Sequence, residues 1–241
     1  FPYTTLFRSY RLYGMRSGCS IARTYQENRR QCIGSRHCIT DKRQLNAKGG
    51  LFKKTIVPFS FFQDILMSKL EEFRKALDVP IRNLSVDVLV REICHQPECF
   101  EAMYRLMSDE KQSVAWRATW VCEKLSEIHP AWFIPLYDDL VYRLSDCKHQ
   151  GSKRLLLSIL YNLPVTAPVS VELLNYSLDH MLSLQESIGV QSLSIRMAYR
   201  LCKHEPELLS ELKLILEHAN TEFYSTGVKT AIRNILKKIK K

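Results

Sequence analysis

The stretches Cys94-His95-Gln96-Pro97-Glu98, Ile128-His129-Pro130 and Lys203-His204-Glu205-Pro206-Glu207 determine the fold of this 241-residue chain. Each of them ends one segment with helical apolar spacing and begins another. Proline is favoured at the first helical position because its missing N–H would have no intrahelical partner there, and an acidic residue after it complements the helix dipole. A fourth junction, Pro164 to Pro168, does the same without a histidine. The sequence therefore predicts consecutive helices joined by short turns.

Outward from these junctions, the apolar pattern predicts a helix in every segment after Met67. Apolar residues stand three and four positions apart in each segment, as Leu155, Ile159 and Leu163 do, and strand patterns with turn residues are missing. The predicted helices cover residues 68–77, 85–95, 97–107, 111–128, 131–144, 152–163, 169–184, 188–204, 207–218 and 222–240.

The proline junctions recur at nearly constant intervals. Helix starts near Pro97, Pro130, Pro168 and Pro206 are separated by 33, 38 and 38 residues. A helix pair repeated at such an interval is typical of an α-solenoid, and an interval near forty residues favours the HEAT or armadillo type. We therefore expect an all-α fold, a right-handed α-solenoid of about four to five HEAT-like helix pairs.

Residues 1–66 differ in kind from the rest of the chain. Codon by codon, the first nine residues match the translated end of a common short-read sequencing adapter, and residues 10–66 show no sustained periodicity. Met67 then begins a helical pattern, with Ser68 as its N-cap and acidic residues in the first turn. We expect residues 1–66 to be an artefactual or disordered segment, and residues 67–241 to form a HEAT-like α-helical repeat domain.

The positive charge of the chain is concentrated in that first segment. The whole chain has 35 Lys and Arg against 25 Asp and Glu, a net charge of +10, but 12 of the former and 3 of the latter lie in residues 1–66. The remaining 23 basic and 22 acidic residues give residues 67–241 a net charge of +1. The basic composition is therefore weak support for a nucleic-acid-binding protein. The rival interpretation is a genuine basic arm that binds nucleic acid or a membrane.

The cysteines and histidines after Met67 lack the spacing of a catalytic or metal site. Five cysteines remain and none forms a Cys-x-x-Cys pair, which favours reduced core thiols in a cytoplasmic protein. The alternative is a metal site that joins Cys94-His95 to Cys202 and His204, but these residues lie in different repeats. Asp138-Asp139 is expected on a solvated face, because adjacent helical residues point in different directions. We expect no catalytic residue, no metal and no cofactor.

Two stretches carry a family resemblance. Trp116-Arg117-Ala118-Thr119-Trp120-Val121-Cys122-Glu123 and the ending Val228-Lys229-Thr230-Ala231-Ile232-Arg233-Asn234-Ile235-Leu236-Lys237-Lys238-Ile239 resemble a family of small bacterial HEAT-like proteins with an armadillo-type fold. The likeness spans residues 67–241, and the matching residues are mostly packing residues. It implies a helical repeat and no established activity.

The second helix of each predicted pair carries an arginine among apolar residues. In solenoids these helices line one face, here the concave one, so Arg117, Arg154, Arg196 and Arg233 either tie neighbouring repeats together or point into the groove. Trp116 and Trp120 stand four apart on one helix face. They either pack in the core or anchor a partner.

We therefore expect a non-enzymatic scaffold that binds a protein partner through its concave face. The candidate contact residues are Arg117, Trp120, Lys124, Arg154, Arg196 and Arg200. The alternative is a nucleic-acid-binding domain with a groove like that of HEAT-like DNA-repair glycosylases, which requires the basic residues of this set to converge on one stripe. A third hypothesis, a small enzyme, requires a deep pocket with shifted carboxylates. No segment is long enough to span a membrane.

Overall fold

The computed structural model of the chain is all-α. It describes residues 59–80, 84–165 and 169–240, with side chains from residue 66 onward. The α-helices of this part of the chain are α1 (Phe59–Leu77), α2 (Val86–His95), α3 (Phe100–Leu106), α4 (Gln112–Ile128), α5 (Tyr137–Asp146), α6 (Gln150–Asn162), α7 (Val171–Met181), α8 (Ile188–Cys202), α9 (Pro206–Glu217) and α10 (Thr226–Ile239). Short 3₁₀ turns cover Pro97–Cys99, Pro130–Trp132, Ile134–Leu136 and Thr221–Phe223.

The helices form five consecutive pairs that stack in two layers. The second helices of the pairs pack side by side, with α4 between α2 and α6, and α8 between α6 and α10. Among the first helices, α1 and α3 pack closely, whereas α5 and α7 touch at only a few positions. From α5 onward the second helices lie closer together than the first helices, so they form the concave side of this part of the stack. We call the layer of α2, α4, α6, α8 and α10 the inner layer, and that of the first helices the outer layer.

The core lies between the two layers, and each long inner helix buries one face in it. In α4 the buried face holds Val114, Ala118, Val121 and Leu125, which are four, three and four residues apart. The positions 76 residues further along, in α8, are buried as well. Each large apolar side chain buried in this way stabilises the fold by about 1.5–3 kcal/mol. The apolar residues at helical spacing in the sequence are therefore the residues that form the core of the stack.

The starts of the inner helices repeat with a strict spacing. The Ser187 hydroxyl accepts a hydrogen bond from the Val190 N–H, and His149 Nδ1 accepts one from the Ser152 N–H at 3.2 Å. Such caps satisfy backbone donors that have no partner inside the helix. The residues that precede the four long inner helices stand exactly 38 apart: Lys111, His149, Ser187 and Ser225.

Glycines two residues after the last three of these positions let neighbouring inner helices interlock. A Cβ on Gly151 would lie 2.8 Å from Trp116 Nε1, and one on Gly189 would lie 2.7 Å from Arg154 Cδ. Trp116 and Arg154 are themselves 38 residues apart. Each of them lies across the first turn of the next inner helix, where the missing glycine Cβ leaves room for it.

Several predicted helices begin differently in the structure; the predicted helices 97–107 and 222–240, for example, each begin within a 3₁₀ turn. Helix α1 begins at Phe59, so Ser68 lies inside it and is not an N-cap. The predicted helix 131–144 is instead two 3₁₀ turns followed by α5. Pro135 causes the break, because it has no N–H to donate and its ring clashes with the carbonyl four residues earlier. Residues 1–58 and the Pro168 junction lie outside the described residues.

These differences leave the predicted architecture intact. The all-α fold and the stack of HEAT-like helix pairs are confirmed, with five pairs among the described residues.

Candidate partner-binding groove

One face of the inner layer is open to solvent. In α4 it presents Trp116, Trp120 and Lys124, which are four residues apart and so lie on one side of the helix. The positions 38, 76 and 114 residues further along, in α6, α8 and α10, are half-buried or exposed without exception. We call these twelve positions the groove face: Trp116, Trp120, Lys124, Arg154, Ser158, Asn162, Ser192, Arg196, Arg200, Thr230, Asn234 and Lys238.

The composition of the groove face is restricted. It consists of two tryptophans, five basic residues and five small polar residues, with no carboxylate among the twelve positions. Aliphatic side chains occupy the opposite, buried face of the same helices. The twelve side chains are therefore suited to contacting a partner of opposite charge.

The two tryptophans form a platform at the α4 end of the groove face. Their rings stack with centroids 6.0 Å apart and planes inclined by 30°, and the His149 ring lies edge-on to Trp116 with its centroid 6.5 Å away. Both side chains are half-buried. Trp116 Nε1 is enclosed and finds no hydrogen-bond partner in the part of the chain that the structure describes. The pair thus combines packing against Gly151 with partial exposure to the groove.

Arg154, Arg196 and Lys238 carry the unpaired charges of the groove face. All three are exposed, and none makes a hydrogen bond or ion pair with another described residue. Lys238 Nζ lies 5.9 Å from the centre of the Tyr199 ring. Helices α6, α8 and α10 contain no Asp or Glu, so a carboxylate one turn away, the usual partner on a helix surface, is missing.

Arg117 and Arg200 are used inside the stack. Arg117 Nη1 donates to the carbonyl oxygens of Leu77 and Val79, at 2.6 and 2.7 Å, and so ties α4 to the end of α1. Arg200 donates to the Tyr161 carbonyl and, at 2.6 Å, to the Leu163 carbonyl, which closes the end of α6. Of these two, only Arg200 occupies a groove-face position.

The four arginines singled out in the sequence are therefore not one repeated position. Arg117 is a structural tie, while Arg154 and Arg196 face the groove at different turns of their helices. Arg233 is exposed on α10, at the position equivalent to the buried Ile195 of α8. Lys124 forms ion pairs with Glu127 at 3.1 Å and Glu123 at 3.4 Å. The hydrogen bond to Glu127 is the main cause that raises the Lys124 pKa.

Two carboxylates of the described residues, Asp109 and Glu186, have a shifted pKa. Both lie away from the groove face, and both pKa values are lowered. Hydrogen bonding to Arg74 at 2.6 Å is the main cause that lowers the pKa of Asp109. Burial alone would raise the pKa of Glu186, but hydrogen bonds from Lys153, at 2.5 Å, and from Gln150 outweigh it and lower the pKa. A general acid needs a raised pKa. Both carboxylates therefore act as ties between neighbouring helix pairs.

The five cysteines among the described residues are free thiols. Cys99, Cys122 and Cys202 are buried, and burial raises the pKa of Cys202 to about 12. The thiolate, which is the metal ligand and the nucleophile, is therefore disfavoured. Within the described ranges, no group of three or more His, Cys, Asp and Glu side chains is placed to hold a metal ion, and the Cys94–His95 and Cys202–His204 junctions are not brought together as one.

The profile of the HEAT repeat domain family matches residues 73–239. The chain belongs to the HEAT repeat family. No curated protein and no solved structure shows significant similarity to it. The matched range begins in α1 and ends at the last residue of α10, so it includes helices from all five pairs of this HEAT repeat domain. None of the described helices is both long and apolar enough to cross a membrane.

The predicted contact residues include five of the seven tryptophan and basic residues of the groove face, but the prediction did not have its register. Trp120, Lys124, Arg154, Arg196 and Arg200 were predicted contact residues and occupy it, whereas Arg117 does not. Trp116 and Lys238 were missing from the predicted set. The 38-residue spacing of the three glycines is the signal that aligns the inner helices and could have found both.

Proposed function

We propose that this HEAT repeat protein is a non-enzymatic scaffold that binds a protein partner along the groove face. The observation that carries the proposal is the row of equivalent positions on four successive inner helices that stay accessible while the opposite face of these helices is buried. Stacked repeats create extended concave surfaces of this kind, and such surfaces serve as binding sites.

The tryptophan platform supports a protein partner. Tryptophan and arginine are enriched among the residues that contribute most to protein–protein affinity. Trp116 and Trp120 offer a half-buried apolar surface, and the exposed Arg154 stands at the position equivalent to Trp116 on the neighbouring helix. A protein segment that carries both apolar and charged side chains can contact the indole surface and the guanidinium together.

The non-enzymatic part of the proposal rests on the chemistry of the groove face and on the family. The twelve side chains include no carboxylate, histidine or cysteine, which are the usual groups for acid–base and nucleophilic catalysis. Cationic, amide, hydroxyl and indole groups bind and orient, so the surface is suited to recognition.

Photo-crosslinking in the source cells tests the proposal. A photoreactive amino acid replaces Ser192, in the middle of the groove face, or Leu214, which is 55% exposed on α9 of the outer layer. We expect protein adducts from position 192 that are absent from position 214, and a weaker yield when Trp120→Ala is added. Nucleic-acid adducts at position 192 would support the nucleic-acid alternative instead. Equal adducts from both positions, or none from position 192, would contradict the proposal.

A further inference from the structure

The two layers of the solenoid carry opposite charges over the last three helix pairs. Inner helices α6, α8 and α10 have eight basic residues and no acidic residue: Lys153, Arg154, Arg196, Arg200, Lys229, Arg233, Lys237 and Lys238. Outer helices α5, α7 and α9 have eight acidic residues, Asp138, Asp139, Asp146, Glu172, Asp179, Glu207, Glu211 and Glu217, and only Arg143 and Lys213 as basic ones. The near-neutral charge of residues 67–241 thus conceals a strong polarity.

Some of these basic residues of the inner layer make contacts within the fold. Lys153 pairs with Glu186 and Arg200 closes the end of α6, so neither is free to bind a partner. The charges that remain on the groove face are Arg154, Arg196 and Lys238, one on each of three successive inner helices. They continue from the tryptophan platform of α4 as a basic row.

We propose that the groove face recognises an extended acidic segment of the partner protein. The carboxylates of this segment lie on Arg154, Arg196 and Lys238, and an apolar side chain at one end lies on Trp116 and Trp120. This inference deepens the proposed function and rests on it. Complementary charge sets the orientation of the segment and accelerates its association, while the indoles supply apolar contact area.

The spacing of the row sets the size of the segment. Packed helices lie about 8–10 Å apart, and an extended chain advances about 3.3 Å per residue. The span from α4 to α10 covers three such intervals, so a segment of about nine or ten residues reaches from the tryptophans to Lys238. A carboxylate at every third residue matches this interval, and in a segment of polyproline II conformation, which has three residues per turn and advances about 3.1 Å per residue, such carboxylates lie on one side.

The observations favour a protein segment over nucleic acid. A duplex presents a negative charge about every 1.7 Å and gains affinity from many phosphate contacts, whereas the groove face offers three free cations. The outer layer and α4 expose carboxylates, among them Glu127 beside Lys124, that repel a long polyanion. Trp116 and Trp120 stack on each other, and Trp116 also lies against Gly151, so part of the indole surface is already used within the fold.

Fluorescence polarisation with labelled peptides and the full chain tests the inference. The probe peptides are about ten residues long, with Glu at every third position and Leu or Trp at one end. The control peptides carry Gln in place of each Glu. We expect the Glu peptides to bind and the Gln peptides to bind at least about tenfold more weakly, with affinity that falls as salt is raised.

Matched variants locate the binding. Arg196→Gln removes an exposed groove-face charge without a described partner, and Lys213→Gln removes a charge from the outer layer. Arg196→Gln should weaken binding about two- to fivefold, the effect of one exposed charge pair. A triple change of Arg154, Arg196 and Lys238 to Gln should weaken it more than about tenfold, and Lys213→Gln should leave it unchanged. Circular dichroism establishes that each variant is folded.

Three outcomes would overturn the inference: equal binding of Glu and Gln peptides, an unchanged Kd in the triple variant, or tighter binding of a labelled oligonucleotide of similar length. Its failure is distinguishable from failure of the proposed function. If peptides do not bind but position 192 still yields protein adducts, the scaffold function stands and its partner is not an acidic segment.

Discussion

Arg117 and Arg200 perform the same structural task at two places in the stack. Each guanidinium donates to two carbonyl oxygens at the end of a helix in the preceding pair, about forty residues earlier. Carbonyls at a helix end have no intrahelical partner, so a charged donor satisfies them well. Arg196, one turn before Arg200, has no such carbonyl in reach and stays exposed. Both arginines follow apolar residues on the same helix, and they differ in that Arg200 reaches carbonyl oxygens of the preceding pair.

Alanine substitution should separate these two arginines. Arg200→Ala removes two charge-assisted hydrogen bonds, and we expect the free energy of unfolding to fall by about 2 kcal/mol. Arg196→Ala on the same helix should change it by less than about 0.5 kcal/mol. Urea denaturation followed by circular dichroism measures both values. Similar losses in the two variants would show that Arg200 is not a structural tie.

At the scale of the element, the first turn of inner helices α6, α8 and α10 is the repeated unit of construction. A cap fixes where the helix begins, and a glycine two residues later accepts a side chain from the previous inner helix. Proline junctions predicted the helix order correctly, but their spacing is less regular than that of the caps. The reason is that several first helices begin with 3₁₀ turns, as Pro135 forces before α5.

Gly151 and Gly189 should respond differently to alanine. Alanine in a helix is favoured over glycine by about 0.5–1 kcal/mol. At position 189 the new Cβ meets the flexible, exposed Arg154, which can swing away, so we expect Gly189→Ala to gain about 0.5 kcal/mol of stability. At position 151 it meets the half-buried Trp116, which is held against Trp120.

We therefore expect Gly151→Ala to be less stable than Gly189→Ala by about 1 kcal/mol, the usual scale of overpacking. Its tryptophan emission should also shift, because Trp116 must move. Thermal melting and fluorescence spectra provide the two measurements. An unchanged spectrum together with equal stability of the two variants would argue against the interlock.

At the scale of the whole molecule, the two layers differ in charge as well as in position. Neither the net charge of the chain nor that of the HEAT repeat domain reveals this polarity, because basic inner helices and acidic outer helices cancel in any sum. The polarity arises because the fold places the basic helices in one layer and the acidic helices in the other.

We propose that the folded unit needs nothing before Met67. Helix α1 begins at Phe59, but the described side chains that it buries fully, Phe73 and Leu77, follow Met67. Of the described side chains that contact the core, the partly buried Leu66 alone precedes it. A chain that begins at Met67 should keep its helical spectrum and melt cooperatively. A chain that begins at Asp78 loses both core residues and should be less stable by at least about 3 kcal/mol. Absence of a cooperative transition in the Met67 chain would refute this boundary.

Local patterns by themselves determined the helices, their order and the repeat. Apolar spacing, caps and prolines act within a few residues of the chain, so they could be read from the sequence. Five of the twelve groove-face residues were also among those named from the sequence. Tertiary structure alone decided which arginines are free, where Trp116 lies and how charge divides between the layers. These properties depend on backbone groups and neighbouring helices that are about forty residues away along the chain, and no local pattern records which of them come into contact.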